Sequence, residues 1–420
     1  MDPLLFAILA KDDAAMGAAA FAFHALLFSF GVWFSLPKER NPSVSEQRLI
    51  WHERVERNVR RGAFRRALLM DKPSFDKLVL MLSEQMSVNT AMANLRGGPI
   101  VVELCLFCAV RHFAGGSHLD IVDTVGISVP SFCRIAWRTA RALMRAEQLA
   151  TKWPSTDEDV CRVASGFCSI GADSVTSNCV GAVDGCLLRI ATPRKSEAKN
   201  VRSFFSGHCK RCGVNTQAAA DHHSRFLHIA VAGPGVTGDR DAIKEVSLHG
   251  LAEQLPRGCC VIGDAACGAS EHIVPMHDGA DRLIVKRDDF NFCASQLRIQ
   301  MEMAFGMMQS KWSVLQRPVA CRLKNVLLVA QAVGCLHNCC IDERLEANGD
   351  IDTEAMPLRA RGDGTNLSCL PTEPVDSDGN SLQLGCHGER LTSSSVLREH
   401  MAQRVFDKGL KRPEGNKTKT

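Results

Sequence analysis

The chain has 420 residues, 45% of them hydrophobic and 23% charged, with a formal net charge of +4. That much apolar material can bury a large core, read here as two domains with tails, and the mild charge excludes a protein that holds nucleic acid by bulk charge alone. Nineteen cysteines scattered through apolar segments read as buried thiols of an intracellular protein, not as a disulfide framework, and tyrosine is absent altogether.

Residues 1–37 form an apolar N-terminal segment. Ala14 to Leu36 runs for 23 residues with His24, Ser29 and Ser35 as its polar side chains, long enough to cross a hydrocarbon core, and Lys38-Glu39-Arg40 follows. A signal peptide would be shorter and would start from a basic region, whereas Lys11-Asp12-Asp13 is mixed in charge. Three readings stay open: a membrane anchor, a buried alanine-rich helix, and an extension that is no part of the working protein.

Residues 38–150 read as a helical domain. Between 38 and 66 nine Lys or Arg stand against four Glu, with Trp51 and Phe64 interleaved. That pattern suits a phosphate-contacting face or a solvated helix face packed on the next domain. A short helix pair follows around Asp71-Lys72-Pro73-Ser74. Gly98–Phe113 and Ser117–Val125 then read as helices, Gly126-Ile127-Ser128 as a turn with Ser128 as cap, and Val129–Leu149 as a third helix. This is a helix-turn-helix pattern, and Arg134, Arg138, Arg141 and Arg145 fall on one face of its last helix.

From about 175 to 345 strands alternate with helices. Val180–Ile190, Gly213–Asp221, Leu227–Ala232 and Cys259–Asp264 are short, apolar and bounded by Gly, Pro or Asp, and a helix is predicted from Ala294 to Met308. Asp184 ends the apolar part of Val180–Asp184, Asp264 ends Cys259–Asp264, and Glu302 lies within the helix. Carboxylates at the ends of neighbouring strands, with one on a packed helix, offer the oxygen ligands that hard divalent cations take. A pair of such cations, roughly 3.5–4 Å apart, holds the attacking and leaving oxygens of a phosphoryl displacement. Arg298, four residues before Glu302 on the same helix face, is placed to orient it. The competing metal reading is zinc on Cys209, Cys212, His222 and His223, but adjacent histidines poorly suit one tetrahedral ion.

The sequence around these acids resembles the Harbinger-type DDE transposases and the nucleases derived from them. Gly181-Ala182-Val183-Asp184-Gly185-Cys186 followed by Ile190-Ala191-Thr192-Pro193 looks like the family's first strand, and Asn215-Thr216-Gln217 with Asp221 is similar to its "N-x-Q-x-x-x-D". Gly233-Pro234-Gly235 with Asp239 matches its "W-P-G-S-x-x-D", and Ile262-Gly263-Asp264 its "L-G-D-S-x-Y". Phe290-Asn291, Arg298, Glu302, Phe305-Gly306, Lys311-Trp312 and Leu336-His337-Asn338 track its ending, so the resemblance spans roughly residues 95–342.

The resemblance implies a ribonuclease-H-like α/β catalytic domain, a mixed sheet flanked by helices, over 175–345, behind a small helical DNA-contacting domain. It implies a metal-dependent DNA nuclease or transposase that uses Mg²⁺ or Mn²⁺ through Asp184, Asp264 and Glu302. Asp239 is implied as a fourth metal ligand, against the alternative that it caps a helix starting near Asp241. A Myb-like DNA-binding partner and nuclear localisation are implied too; self-association, a cytoplasmic pool and, through residues 14–36, a membrane location stay open. Two departures, Cys209 at a Lys position and Cys267 at a Tyr position, keep open a derivative that binds DNA or protein without turnover. The tail, 346–420, reads as mostly disordered, with one last helix over Ser395–Lys408.

Overall fold

The computed structural model describes residues 48–87, 99–171, 177–348 and 393–413. The apolar run 14–36, the start of the basic stretch with Lys38 and Arg40, and most of the tail lie outside the described residues.

Three short helices open the described part: α1 (Trp51–Arg60), α2 (Ala63–Leu68) and α3 (Lys72–Ser83). Their aromatic residues turn inward. The Trp51 ring lies 5.4 Å from Phe75 and 5.7 Å from Phe107, and Phe64 lies 5.5 Å from Phe75. Trp51 and Phe64 therefore build core, and the arginines Arg57, Arg60, Arg61, Arg65 and Arg66 are left exposed.

The helix-turn-helix follows as α4 (Val102–Phe113), α5 (His118–Val125) and α6 (Val129–Arg145). Ser117 caps α5 by accepting from the Leu119 amide, Gly126 closes it at φ 69°, and Ser128 caps α6 by accepting from Ser131 N at 3.3 Å. The third helix ends earlier than its pattern predicts: Ala146 turns to ψ 111°, and Leu149 is buried in the turn beyond it. Leu149 continues the apolar period without continuing the helix. Phe132, Ile135, Ala136 and Leu143 face the core, which leaves Arg134, Arg138, Arg141 and Arg145 exposed along the outer face of α6.

Helix α7 (Asp157–Ile170) was not anticipated from the sequence. Thr156 caps it, and Asp157, Glu158 and Asp159 place negative charge in its first turn.

The sheet comprises β1 (Cys179–Arg189), β2 (Phe205–Ser206), β3 (Arg211–Ala220), β4 (Phe226–Pro234), β5 (Cys260–Gly263) and β6 (Ile273–Pro275). Strands β4, β3 and β1 run antiparallel, β5 and β6 continue from β1 in parallel, and β2 pairs with the first residues of β3. Helices α8 (Asp239–Glu245) and α9 (Leu248–Ala252) carry the chain from β4 to β5. The 27-residue helix α10 (Val285–Lys311) packs on β1, with α11 (Val326–Asn348) against β4 and α12 (Ser393–Asp407) against α10. This mixed sheet flanked by helices is a ribonuclease-H-like α/β arrangement.

Helix α10 starts nine residues before the predicted Ala294, because Phe290 and Cys293 extend its buried face. Among the described residues, the stretch Leu323–Ala347 is the one helix long and apolar enough to cross a membrane. Since 67% of its apolar window is buried within the fold, it reads as a core helix. One continuous core runs from Trp51 to Val405, shared by the helical part and the sheet.

Candidate active site

Strands β1 and β5 pair in parallel with Gly181 beside Val261 and Ala182 beside Ile262. That register runs toward both aspartates, Asp184 two residues beyond Ala182 and Asp264 two beyond Ile262, and the Asp264 carboxyl is near enough to act on Asp184. The sequence places one acid within a long strand and the other just past a short one paired with it. Each is fixed by a backbone amide: Asp184 Oδ1 accepts from Gly185 N at 2.8 Å, and Asp264 Oδ1 accepts from Ala265 N at 2.6 Å.

The third acid arrives from α10. Glu302 is half exposed, and the Arg298 guanidinium one turn earlier reaches both it and Asp184. Arg298 Nη1 donates to Asp184 Oδ2 at 3.0 Å while Nη2 pairs with Glu302. The expected orienting role toward Glu302 is thus half of what Arg298 does; the other half is to tie helix to strand. Burial pushes the Asp184 carboxyl up to about 6, and Asp264 and Glu302 push it the same way. The Gly185 amide and Arg298 oppose the rise without cancelling it.

Asp239 is held differently. It is the first residue of α8 and makes no cap; Gly238 is the N-cap. Its Oδ1 accepts from Asn215 Nδ2 and from Gln217 Nε2, both at 3.0 Å. Gln217 lies opposite Gly185 in the β1–β3 pairing, and alternation puts Gly185 and Asp184 on opposite faces of β1. A Cβ on Gly185 would stand 2.5 Å from Asp239 Oδ1 and 2.4 Å from Gln217 Nε2, so any larger residue would have to push these hydrogen-bonded side-chain ends aside. Asp239 is therefore a strut on the Gly185 side of β1, which corrects its reading as a helix cap, and its charge reaches Cys267 together with those of Asp184 and Asp264. Gly185, Asn215 and Gln217 were given no role from the sequence; a polar pair on a strand otherwise filled with alanine and valine was the available signal.

Cys267, at the family's tyrosine position, is buried, and its thiol is pushed up to about 12 by burial and by Asp184, Asp264 and Asp239. It stands protonated beside the acids. Among the described residues no three His, Cys, Asp or Glu side chains converge closely enough to hold one ion. The zinc set fails on distance: Cys212 opens β3 and His222 lies past its end, about 30 Å along an extended chain.

Other motif residues are architectural. Asp221 accepts from His223 N and Arg225 N, both at 2.9 Å, and so closes the β3–β4 turn. Asn338 exchanges both amide hydrogen bonds with Phe226, at 2.8 and 2.9 Å, and His337 Nε2 donates to Ser224 O at 2.9 Å.

Residues 183–338 match the family model described as DDE superfamily endonuclease. The interval opens one residue before Asp184, encloses Asp264 and Glu302, and ends at Asn338. No curated protein and no solved structure matches the chain.

Proposed function

We propose that this chain is a metal-dependent DNA nuclease or transposase of the Harbinger type, cutting phosphodiester bonds through Asp184, Asp264 and Glu302. One observation supports the reading: within the matched interval Arg298 joins Glu302 of the helix to Asp184, toward which the paired strand β5 and Asp264 run. The donor set fits Mg²⁺ or Mn²⁺, being all carboxylate oxygen, and Asp184 carries a buried charge that Arg298 alone does not compensate. Bound there, the cations would neutralise charge on the phosphate and make a bound water more acidic.

The chain's own groups prepare that chemistry. Backbone amides fix one oxygen of Asp184 and of Asp264, which directs the second oxygen of each elsewhere. Arg298 holds Glu302 within reach of β1. Asn215 and Gln217, through Asp239, brace the strand on its other side. In the same proposal the exposed arginines of α6 contact duplex DNA, and the protein acts in the nucleus beside a Myb-like partner.

The test is cleavage of supercoiled plasmid with Mg²⁺ or Mn²⁺, paired with calorimetry of Mn²⁺ binding, for the parent and Asp184→Asn. Cleavage and Mn²⁺ binding that are both lost in the variant support the proposal. Mn²⁺ binding unchanged by Asp184→Asn would refute these ligands. A second reading, a DNA-binding derivative without turnover, is favoured by the absence of a converged three-ligand group among the described residues. DNA binding with neither cleavage nor Mn²⁺ uptake would establish it.

A further inference from the structure

The connection between β1 and β3 carries charge out of proportion to the rest of the chain. From Arg189 to Arg211 there are seven Lys or Arg and one acid, Glu197, whereas the whole chain nets only +4. None of the seven forms an ion pair among the described residues, and all except the half-buried Arg189 are exposed. Glu197 is occupied with backbone amides, accepting from Arg194 N and Leu323 N. The cationic surface is therefore uncompensated.

An aromatic ring stands in it. Phe205, on the short strand β2, is 49% exposed although it pairs with Cys212 at the edge of β3. Phe205, Arg189, Lys210 and Arg211 line one open groove of about 350 Å³, with Ile190 and Pro318 also in its lining. The groove is tied to the catalytic framework at two points. Arg189 is five residues beyond Asp184 on β1, about 17 Å along the strand. Val236 N donates to Ser203 O at 3.0 Å, which fastens the segment to the loop that delivers Asp239.

We propose that this groove binds an unpaired nucleic-acid strand, with a base stacked on Phe205 and adjacent phosphates on Arg189, Lys210 and Arg211. An exposed ring flanked by cations without ion pairs, Arg189 donating to the neutral Gln316 carbonyl, matches what single strands require: a face for stacking and charge for the backbone. Paired bases offer no free face to Phe205, so the groove selects a strand that is already open or frayed. The inference rests on the nuclease reading for the identity of its ligand, and binding can be read without cleavage.

The experiment is fluorescence anisotropy of the full chain with a labelled oligo-dT strand and with a labelled hairpin duplex, in chelator. Phe205→Ala is expected to weaken oligo-dT binding by about tenfold and to leave the salt slope unchanged, while Phe205→Trp restores it. Lys210→Glu with Arg211→Glu is expected to reduce the salt slope by about 1. Circular-dichroism melting checks that the variants fold. Unchanged oligo-dT binding in folded Phe205→Ala, or an equal loss for strand and duplex, overturns the proposal. Plasmid cleavage separates the two readings. If cleavage depends on Asp184 but strand binding ignores Phe205, this inference fails alone. If strand binding depends on Phe205 but nothing is cut, the nuclease reading fails alone.

Discussion

Asp184 on β1 and Asp221 at the end of β3 both stand in motif positions, and burial pushes both carboxyls up. At Asp221 the rise is opposed locally by the Arg225 and His223 amides and by Arg225, which itself pairs with Asp342 at 2.6 Å. At Asp184 one amide and one guanidinium oppose burial, while Asp264 and Glu302 add to it. A carboxylate whose neighbours come from its own turn builds the fold. One surrounded by like charges from other elements is held against its own preference, and such arrangements concentrate where chemistry is done.

The largest effect that could break this contrast comes from removing each acid. Asp184→Asn is expected to cut plasmid cleavage by more than about 10³-fold without loss of melting temperature, the scale of deleting an electrostatic stabiliser at a reacting centre. Asp221→Ala leaves two half-buried amides without an acceptor and is expected to cost about 1–3 kcal/mol of stability in chemical denaturation, with cleavage retained in the folded fraction. If Asp221→Ala abolished cleavage at full stability, the division between chemistry and architecture would collapse.

Next comes the other side of β1. Gly185→Ala forces a Cβ to within 2.5 Å of Asp239 Oδ1, so the hydrogen-bonded ends of Asp239 and Gln217 must give way beside Asp184. We expect about 10²-fold slower cleavage, from displacing a catalytic carboxylate by a fraction of an ångström. Gly181→Ala is the control, since its Cβ would meet Val261 Cγ1 at 3.2 Å, Leu227 Cδ1 at 3.5 Å and Ala220 O at 3.7 Å, with no atom nearer than 3 Å. Equal effects at the two glycines would mean that general crowding, not the Asp239 strut, is what Gly185 protects.

The same contrast explains what could be read in advance. The four main strands and the places of Asp184 and Asp264 follow from short apolar runs closed by Gly or Asp, and that of Glu302 from a helical period, both local signals. The contact of Asp239 with Asn215 and Gln217 depends on Gly185 lacking a side chain across a strand pairing, which no local pattern encodes. Helix α11 went unread because it is apolar nearly all round and shows no amphipathic stripe. The charge of Arg189–Arg211 was visible as composition, but its function as a groove required β2 to put Phe205 beside it.

Arg298 sharpens the comparison from the cation's side. Its guanidinium contacts two of the three proposed ligands, so in the metal-free protein it stands in for part of the ion's charge. Arg298→Gln is expected to bind Mn²⁺ about tenfold more tightly in calorimetry without DNA, because a unit positive charge a few ångströms away is removed. Weaker binding would show that Arg298 positions Glu302 more than it repels the ion.

The smallest effect is on stability, and its sign follows from the titration of Asp184. The folded carboxyl titrates at about 6 against an ordinary 3.8, so the folded state holds this proton more tightly than the unfolded chain. Its contribution to stability is full below pH 3.8 and is lost as pH rises through 6. Asp184→Asn removes the titration, so in chelator the variant is expected to exceed the parent's stability at pH 7.5 and to match it near pH 4. A shift of this size corresponds to an upper bound of about 3 kcal/mol. Solvent still reaches a side chain 21% exposed, which reduces the expected gain to about 1 kcal/mol. Denaturant midpoints at the two pH values measure it. A variant less stable than the parent at pH 7.5 would mean that the contact with Arg298 outweighs burial, and that Asp184, like Asp221, is settled in its surroundings before any metal arrives.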